Sequence, residues 1–179
     1  LFASVFIAFG AVQPSVAAPS ANNAQADAVI TDMAQAFKRG DRKRLSALLP
    51  QAKGHPLEPW AAYWELKARL DEASHQELRA FFSRYPATYQ EDRLRNDWLL
   101  VLGQRRDWAA FSAELPHYRM NDDREVRCYA LGTEALLQKP ETPNELKKLW
   151  YALKDADDGC TTVAEKLYDA KKLDNLDVW

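Results

Sequence analysis

Apolar residues recur along this chain with the period of an α-helix. Ile30, Met33, Ala34 and Phe37 fall at i, i+3, i+4 and i+7, and Leu94, Trp98, Val101 and Leu102 form a second stripe. Val126, Tyr129, Ala130, Thr133 and Leu137 form a third, and Leu146, Leu149, Trp150 and Leu153 a fourth. This spacing sets each group on one face of a 3.6-residue helix. No stretch combines two-residue alternation with β-branched enrichment, so the pattern predicts an all-α fold. Helices are expected over roughly 24–38, 41–49, 57–71, 74–84, 89–104, 107–115, 123–138, 143–154 and 159–169, with a last turn near 175–179.

Glycine and proline divide the pattern. Gly40, Gly54, Gly103 and Gly159 stand between stripes, where a left-handed cap or a turn is expected. Pro50, Pro56, Pro59, Pro86, Pro116, Pro140 and Pro143 all fall at helix edges, since a proline inside a helix costs about 3 kcal/mol. Thr142, Pro143 and Glu145 have the spacing of a capping box, and Asp122 or Asp123 is placed to cap the helix that carries Cys128. Gly132 falls inside a predicted helix, which points to a close helix crossing there.

Two segments share one grammar. Ala34–Pro50 reads as helix, turn with Gly40 and Asp41, helix, proline; Trp98–Pro116 repeats that order around Asp107. Helix-pair repeats of this kind stack into a solenoid, each unit burying its apolar face on the next. The expectation is a superhelix of stacked short helix pairs, with a compact irregular helical bundle as the alternative.

Ahead of the first stripe lies an uncharged apolar run, Leu1–Val12, closed by Ser15, Val16 and Ala17. It has the form of a secretory signal core followed by a small-residue cleavage site. The expected cut follows Ala17, because a cut after Ala18 would leave Pro19 directly behind the scissile bond. A membrane span needs about 20 apolar residues, more than this run offers. The chain opens at Leu1 with neither Met nor a basic flank, so residues 1–17 read as a signal peptide clipped at its start. Residues 18–24 then form the flexible start of the mature chain, and residues 25–179 the helical domain.

The net charge is −2, with no long run of like charge, so nothing in the balance draws the chain to nucleic acid. Lys38-Arg39, Arg42-Lys43-Arg44 and Arg105-Arg106 read as solvated helix faces, or else as contacts for an anionic polymer. The six Trp and seven Tyr fill gaps between helices or form a sugar-stacking surface. Cys128 and Cys160 form an even pair in an exported chain, which favours a disulfide. Two buried thiols and a metal pair are the alternatives, but His55, His75 and His117 lie far from both Cys in sequence. No hydrolase nucleophile elbow, zincin motif, phosphate loop or dinucleotide fingerprint is present, and no cofactor is expected. The acidic neighbours Glu91-Asp92, Asp122-Asp123 and Asp157-Asp158 stand at helix starts or turns, where dipole and solvation roles account for them.

One resemblance spans about residues 25–179. His55-Pro-Leu-Glu-Pro-Trp60, with Tyr63, resembles a helix start of the large soluble lytic murein transglycosylases. Phe81–Pro86, Asp92–Arg95, Trp98-Leu99, Arg106-Asp107-Trp108, Cys128-Tyr129, Trp150 and Cys160 follow in that family's order. The Cys pair is similar to the family's N-terminal disulfide. The resemblance implies a U-shaped α-superhelix that joins a linker domain to form a ring. It also implies a separate lysozyme-like domain, where a Glu in a Glu-Ser dipeptide cleaves the MurNAc–GlcNAc bond and leaves a 1,6-anhydromuramoyl end. This sequence contains no Glu-Ser dipeptide, so no catalytic residue carries over. The expectation is a non-catalytic periplasmic scaffold, truncated before the linker and catalytic domains, which packs on the missing C-terminal half of its own chain. Its partner would be the glycan strands of peptidoglycan, met through the parent enzyme. The alternative is a free-standing exported helical-repeat adaptor that binds a protein partner.

Overall fold

The computed structural model describes residues 21–178. Among the described residues the chain is all-α, with no strand. Its helices are α1 (Ala21–Lys38), α2 (Arg42–Leu48), α3 (Glu58–Ala68), α4 (His75–Arg84), α5 (Tyr89–Gln104) and α6 (Trp108–Glu114). There follow α7 (Arg124–Leu131), α8 (Glu134–Leu137), α9 (Thr142–Trp150), α10 (Asp158–Asp169) and α11 (Asn175–Val178). A single 3₁₀ turn, Leu49–Ala52, follows α2, and another, Leu115–His117, follows α6. The signal segment read from the sequence lies outside the described residues.

The helices stack in chain order. The first helices of successive pairs pack side by side, α1 on α3, α3 on α5 and α5 on α7, while α7 packs on α9 and α10. The core is divided in the same order. Ile30, Met33, Leu45 and Leu48 bury one cluster at the start; Leu66, Leu94, Leu99 and Phe111 lie in a second; Leu146, Cys160, Val163 and Leu167 lie in a third. A sequence of local cores is what stacked helix pairs produce and a single compact bundle does not.

The repeated grammar is present in the backbone. Gly40 (φ 68°) and Arg106 (φ 59°) both take the left-handed conformation at the end of the preceding helix. Behind them the Asp41 amide donates to the Ala36 carbonyl (2.9 Å), and the Asp107 amide to the Leu102 carbonyl (3.0 Å). Each aspartate then caps the next helix through its side chain, and Leu45 and Phe111, both fully buried, occupy the same place in it. The cap recurs at the end of α10: Lys171 has φ 59°, and the Lys172 amide donates to the Leu167 carbonyl at 2.8 Å. This third copy escaped the sequence reading because Lys171-Lys172 carries neither the glycine of the first copy nor the aspartate shared by the first two.

Two glycines play a different part from the one expected of them. Gly103 lies within α5, and Gly159 within the first turn of α10. Both are buried without positive φ. A Cβ on Gly103 would lie 2.5 Å from Tyr129 Cε2, and one on Gly159 2.7 Å from the Glu125 carbonyl oxygen. Gly132 does mark the expected close crossing, since its Cβ would lie 2.6 Å from Val163 Cγ2 on α10. It also ends α7, so the helix expected over 123–138 is two helices. The capping box expected at Thr142 does not form: Glu141 stands at the cap without a side-chain bond, and Thr142 Oγ1 donates to the Leu136 carbonyl instead. A capping box forms at Ser74 and Glu77. Asp123 caps α7, as one of the two expected candidates.

Cys128 and Cys160 are disulfide-bonded, with their Cα atoms 4.8 Å apart, and the bridge ties α7 to α10. Its loop spans 32 residues, for which chain entropy gives about 3–4 kcal/mol of stabilisation. Two outcomes follow. Reduction should lower the urea midpoint by that amount divided by the m-value. Gly103→Ala and Gly132→Ala should each destabilise by about 1–3 kcal/mol through overpacking, although alanine is the better helix former. A stabilised variant in the same urea titration would contradict the close packing.

Candidate functional site

The outer helices α2, α4 and α6 do not close over the inner layer, and they leave two gaps. The larger, about 420 Å³, lies between the Leu49–Ala52 turn and α4, with α3 as its floor. That volume lies within the usual range for ligand sites, about 300–1,000 Å³. Leu49, Pro50, Ala62, Leu66, Ala80 and Phe81 supply its apolar lining. The second gap, between α4 and the segment after α6, has α5 as its floor and is edged by Phe82, His117 and Arg119.

The charges at the larger groove sit where helix geometry puts them. The floor helix α3 and the wall helix α4 run antiparallel, so the start of α3 (Glu58) meets the end of α4 (Arg84, Tyr85). The end of α3 (Arg69) meets the start of α4 (Glu77). At the first end Arg84 pairs with Glu58, whose other oxygen accepts the Gly54 amide at 2.7 Å. Burial raises the Glu58 pKa, but the Gly54 amide, the Tyr85 hydroxyl and Arg84 outweigh it and hold it below the usual range. The Tyr85 phenol is pushed up to about 12 by burial and by Glu58. At the second end Arg69 donates to Glu65 Oε1 (2.8 Å) and to Glu77 Oε1 (2.6 Å). Ser46 of α2 also donates to Glu65, at 2.8 Å. Glu77 is brought down to about 2 by the Ser74 backbone amide, the Ser74 hydroxyl and Arg69. The carboxylates Glu58 and Glu77 are therefore held ionised. That suits binding and does not suit a general acid, which needs a raised pKa.

The floor of the second gap repeats this device. Arg95 pairs with Glu91 one turn earlier and reaches Glu114 on α6, while its guanidinium lies 4.0 Å from the centroid of Phe82 on α4. Glu91 also accepts from Arg119 (2.7 Å), and Asp92 accepts the backbone amides of Arg119 (2.9 Å) and Met120 (2.7 Å). Glu91 and Asp92 are 6% and 2% exposed, so the solvated role expected of this pair is corrected. They tie α5 to the segment after α6. Of the other two acidic neighbours, Asp123 caps α7 and accepts from Asn96, and Asp122 accepts from Tyr118. Asp157 caps α10, and Asp158 holds Arg106 through two hydrogen bonds of 2.6 and 2.9 Å. Sequence reasoning missed this role for Glu91 and Asp92 because nothing along α5 shows that it is covered on nearly every side.

The basic clusters are exposed, and three of their arginines are paired within the chain. Arg42 binds Asp71 and Glu72, Arg44 binds Asp32, and Arg106 binds Asp158. The aromatic residues form a row of neighbours, Phe37, Trp64, Trp60 and Tyr89, with successive centroids 6.3, 5.9 and 5.7 Å apart. Phe37, Trp64 and Trp60 stack face to face, so much of their π-surface is already used within the chain. Among the described residues no group of three or more His, Cys, Asp or Glu is placed to hold a metal ion. No helix among them is long and apolar enough to cross a membrane.

Glu77 makes acid stability a readout of this geometry. Its pKa is about 2 in the folded chain against 4.5 as the reference. A depressed carboxylate stabilises the fold above its unfolded pKa, and that stability is lost as pH falls through the folded value. Stability should therefore decline between pH 4.5 and about 2, and Glu77→Gln should flatten the decline. Ser74→Ala should cost about 1 kcal/mol at neutral pH through loss of the cap. A profile unchanged by Glu77→Gln in pH-dependent urea titrations would remove Glu77 from the account.

The chain is similar in structure to soluble lytic transglycosylases. It matches the 70-kDa soluble lytic transglycosylase SLT70 from Escherichia coli at 19% identity and a TM-score of 0.64, over 86% of its own length. A complex of the 70-kDa enzyme with bulgecin A gives 19% identity and a TM-score of 0.63. An inactive mutant of the lytic transglycosylase Slt from Pseudomonas aeruginosa matches at 26% identity and a TM-score of 0.62, over 90% of the chain. In each case the chain spans about a quarter of the other protein's length, 25%. No protein-family model and no curated protein matches the sequence. The likeness bears out the resemblance read from the residues: these helices are a partial match to that superhelical fold, as a piece of its N-terminal domain would be.

Proposed function

We propose that this chain is a scaffold segment of a peptidoglycan lytic transglycosylase, working in the periplasm, and that it builds one arc of a ring that positions glycan strands. The observation that carries this reading is the fold match over 86–90% of the chain to enzymes four times its length. Stacked helix pairs, each burying its face on the next, suit an extended curved surface rather than a closed catalytic pocket. In this reading cleavage of the MurNAc–GlcNAc bond belongs to a domain beyond these residues, and the groove carboxylates, tied to arginines, serve binding.

Two measurements test the reading. The purified chain should sediment with murein sacculi and release no 1,6-anhydromuropeptides. Release of those products would end the non-catalytic assignment, and failure to sediment would remove the glycan partner. The genomic reading frame past the codon for Trp179 separates this reading from a free-standing adaptor. A Glu-Ser dipeptide with a Gly-Leu-Met-Gln stretch a few hundred codons on is expected, and an immediate stop would favour the adaptor.

A further inference from the structure

The row of aromatic rings across the inner helices ends in one that the chain itself leaves open. Tyr89, at the start of α5, is 56% exposed, whereas Trp60 and Trp64 are partly buried. Its only aromatic neighbour found among the described residues is Trp60, 5.7 Å away and tilted by 43°. Trp60 therefore walls the Tyr89 ring on one side without covering it. No cation among the described residues lies over that ring. The face of an aromatic ring carries partial negative charge and attracts the polarised C–H groups on the flat side of a sugar ring.

One turn further on, Arg93 shares the same face of α5. It is partly buried and stands in none of the ion pairs found among the described residues. The carboxylate it faces, Asp97, is 3% exposed and already taken at both oxygens. The Tyr63 hydroxyl donates to Oδ2 at 2.8 Å, and Lys67 Nζ lies 2.7 Å from Oδ1. Lys67 and Arg93 thus share one carboxylate, and this face keeps a positive charge that the chain does not neutralise. The acidic residues of the same turn of α5, Glu91 and Asp92, are turned away and held by Arg119. A guanidinium offers its donors in a fixed fork that matches a carboxylate.

We propose that Tyr89 and Arg93 bind a carboxylate-bearing sugar, with the sugar ring flat on Tyr89 beside Trp60 and its carboxylate on Arg93. An open ring alone would take any flat apolar surface, and a free guanidinium any anion. Residues one turn apart have Cβ atoms about 5–6 Å from each other, so one small molecule must carry both features. Under the scaffold reading above, the ligand is the muramic acid unit of the glycan, whose lactyl ether bears a carboxylate. That carboxylate is free only where the stem peptide has been removed, so the face would favour peptide-free strands. Only this identification rests on the reading. The binding itself rests on the ring and the surplus charge.

The test uses the 179-residue chain with N-acetylmuramic acid and N-acetylglucosamine, which differ in the lactyl carboxylate. Binding is read by chemical-shift titration. N-acetylmuramic acid should shift the first two turns of α5 and the Trp60 indole. N-acetylglucosamine should bind at the same place about three- to fivefold more weakly, the scale of one exposed ion pair. Tyr89→Ala should weaken both sugars about tenfold. Arg93→Gln should abolish the difference between them and leave N-acetylglucosamine binding intact. Both variants should keep the helical circular dichroism of the parent. Should Arg93→Gln fail to fold, added salt on the parent chain replaces it: the preference for the acid should shrink while N-acetylglucosamine binding holds. No saturable shifts at millimolar sugar, shifts centred elsewhere, equal affinity for the two sugars, or a preference indifferent to both Arg93→Gln and salt would overturn the proposal. Sacculus sedimentation with no binding of N-acetylmuramic acid would overturn it while leaving the scaffold reading standing. Binding of that sugar without sedimentation would do the reverse.

Discussion

A buried charge has to be paired, and in this chain that requirement joins the two helix layers. Glu65 on α3 with Arg69 at its C-cap, and Glu91 with Arg95 on α5, are ion pairs one turn apart. Their remaining hydrogen-bonding capacity is met from the outer layer. Ser46 on α2 and Glu77 on α4 complete the first pair. Glu114 on α6, Arg119 beyond it and the Phe82 ring on α4 complete the second. A buried pair of this kind adds little net stability over an apolar substitute, yet losing one partner alone costs several kcal/mol. Its effect here is on placement. It holds α2, α4 and α6 at set distances from one another, and the gaps between them are the grooves.

The second half of the chain is organised by close approach instead. Tyr129 is fully buried and meets α5 at Gly103, α6 at Trp108 and Phe111, and α10 at Gly159. Its hydroxyl donates to Asp158, which also holds Arg106 in its left-handed turn. One residue away, Cys128 faces the other side of α7 and bonds to Cys160. The helix thus carries the ring of one core and the crosslink of the next. Strong crosslinking at this seam is consistent with a stack in which each unit has few neighbours.

These two devices bear on function in different ways. The tyrosine seam and the disulfide tie α5, α6, α7 and α10 together, as the proposed positioning role requires. The ion pairs leave exposed, charged grooves between rigid helices, which is where a repeat scaffold can take on binding. The likeness to soluble lytic transglycosylases is one of fold, over 25% of their length.

Much of the fold was legible in the sequence because it depends on local periodicity. The apolar stripes located the helices, Asp123 capped α7 as one of the two expected candidates, and the two cysteines formed the expected bridge. The grammar shared by Ala34–Pro50 and Trp98–Pro116 stated the repeat directly, and the family resemblance rested on residues that can be read in order. Sequence could not tell a turn glycine from a crossing glycine, because Gly40 and Gly103 differ only in what lies against them. It could not tell a solvated Glu91 from a buried one, because its burial depends on a partner 28 residues away, Arg119. The groove was invisible for the same reason: Lys53, Glu58, Arg69, Glu77 and Arg84 become one site only when α3 and α4 fold back antiparallel. The sequence by itself determined the helical periods and their apolar stripes, though not that Gly132 divides the helix expected over 123–138. The tertiary structure alone decided which charges meet, because pairing depends on distance in space and not along the chain.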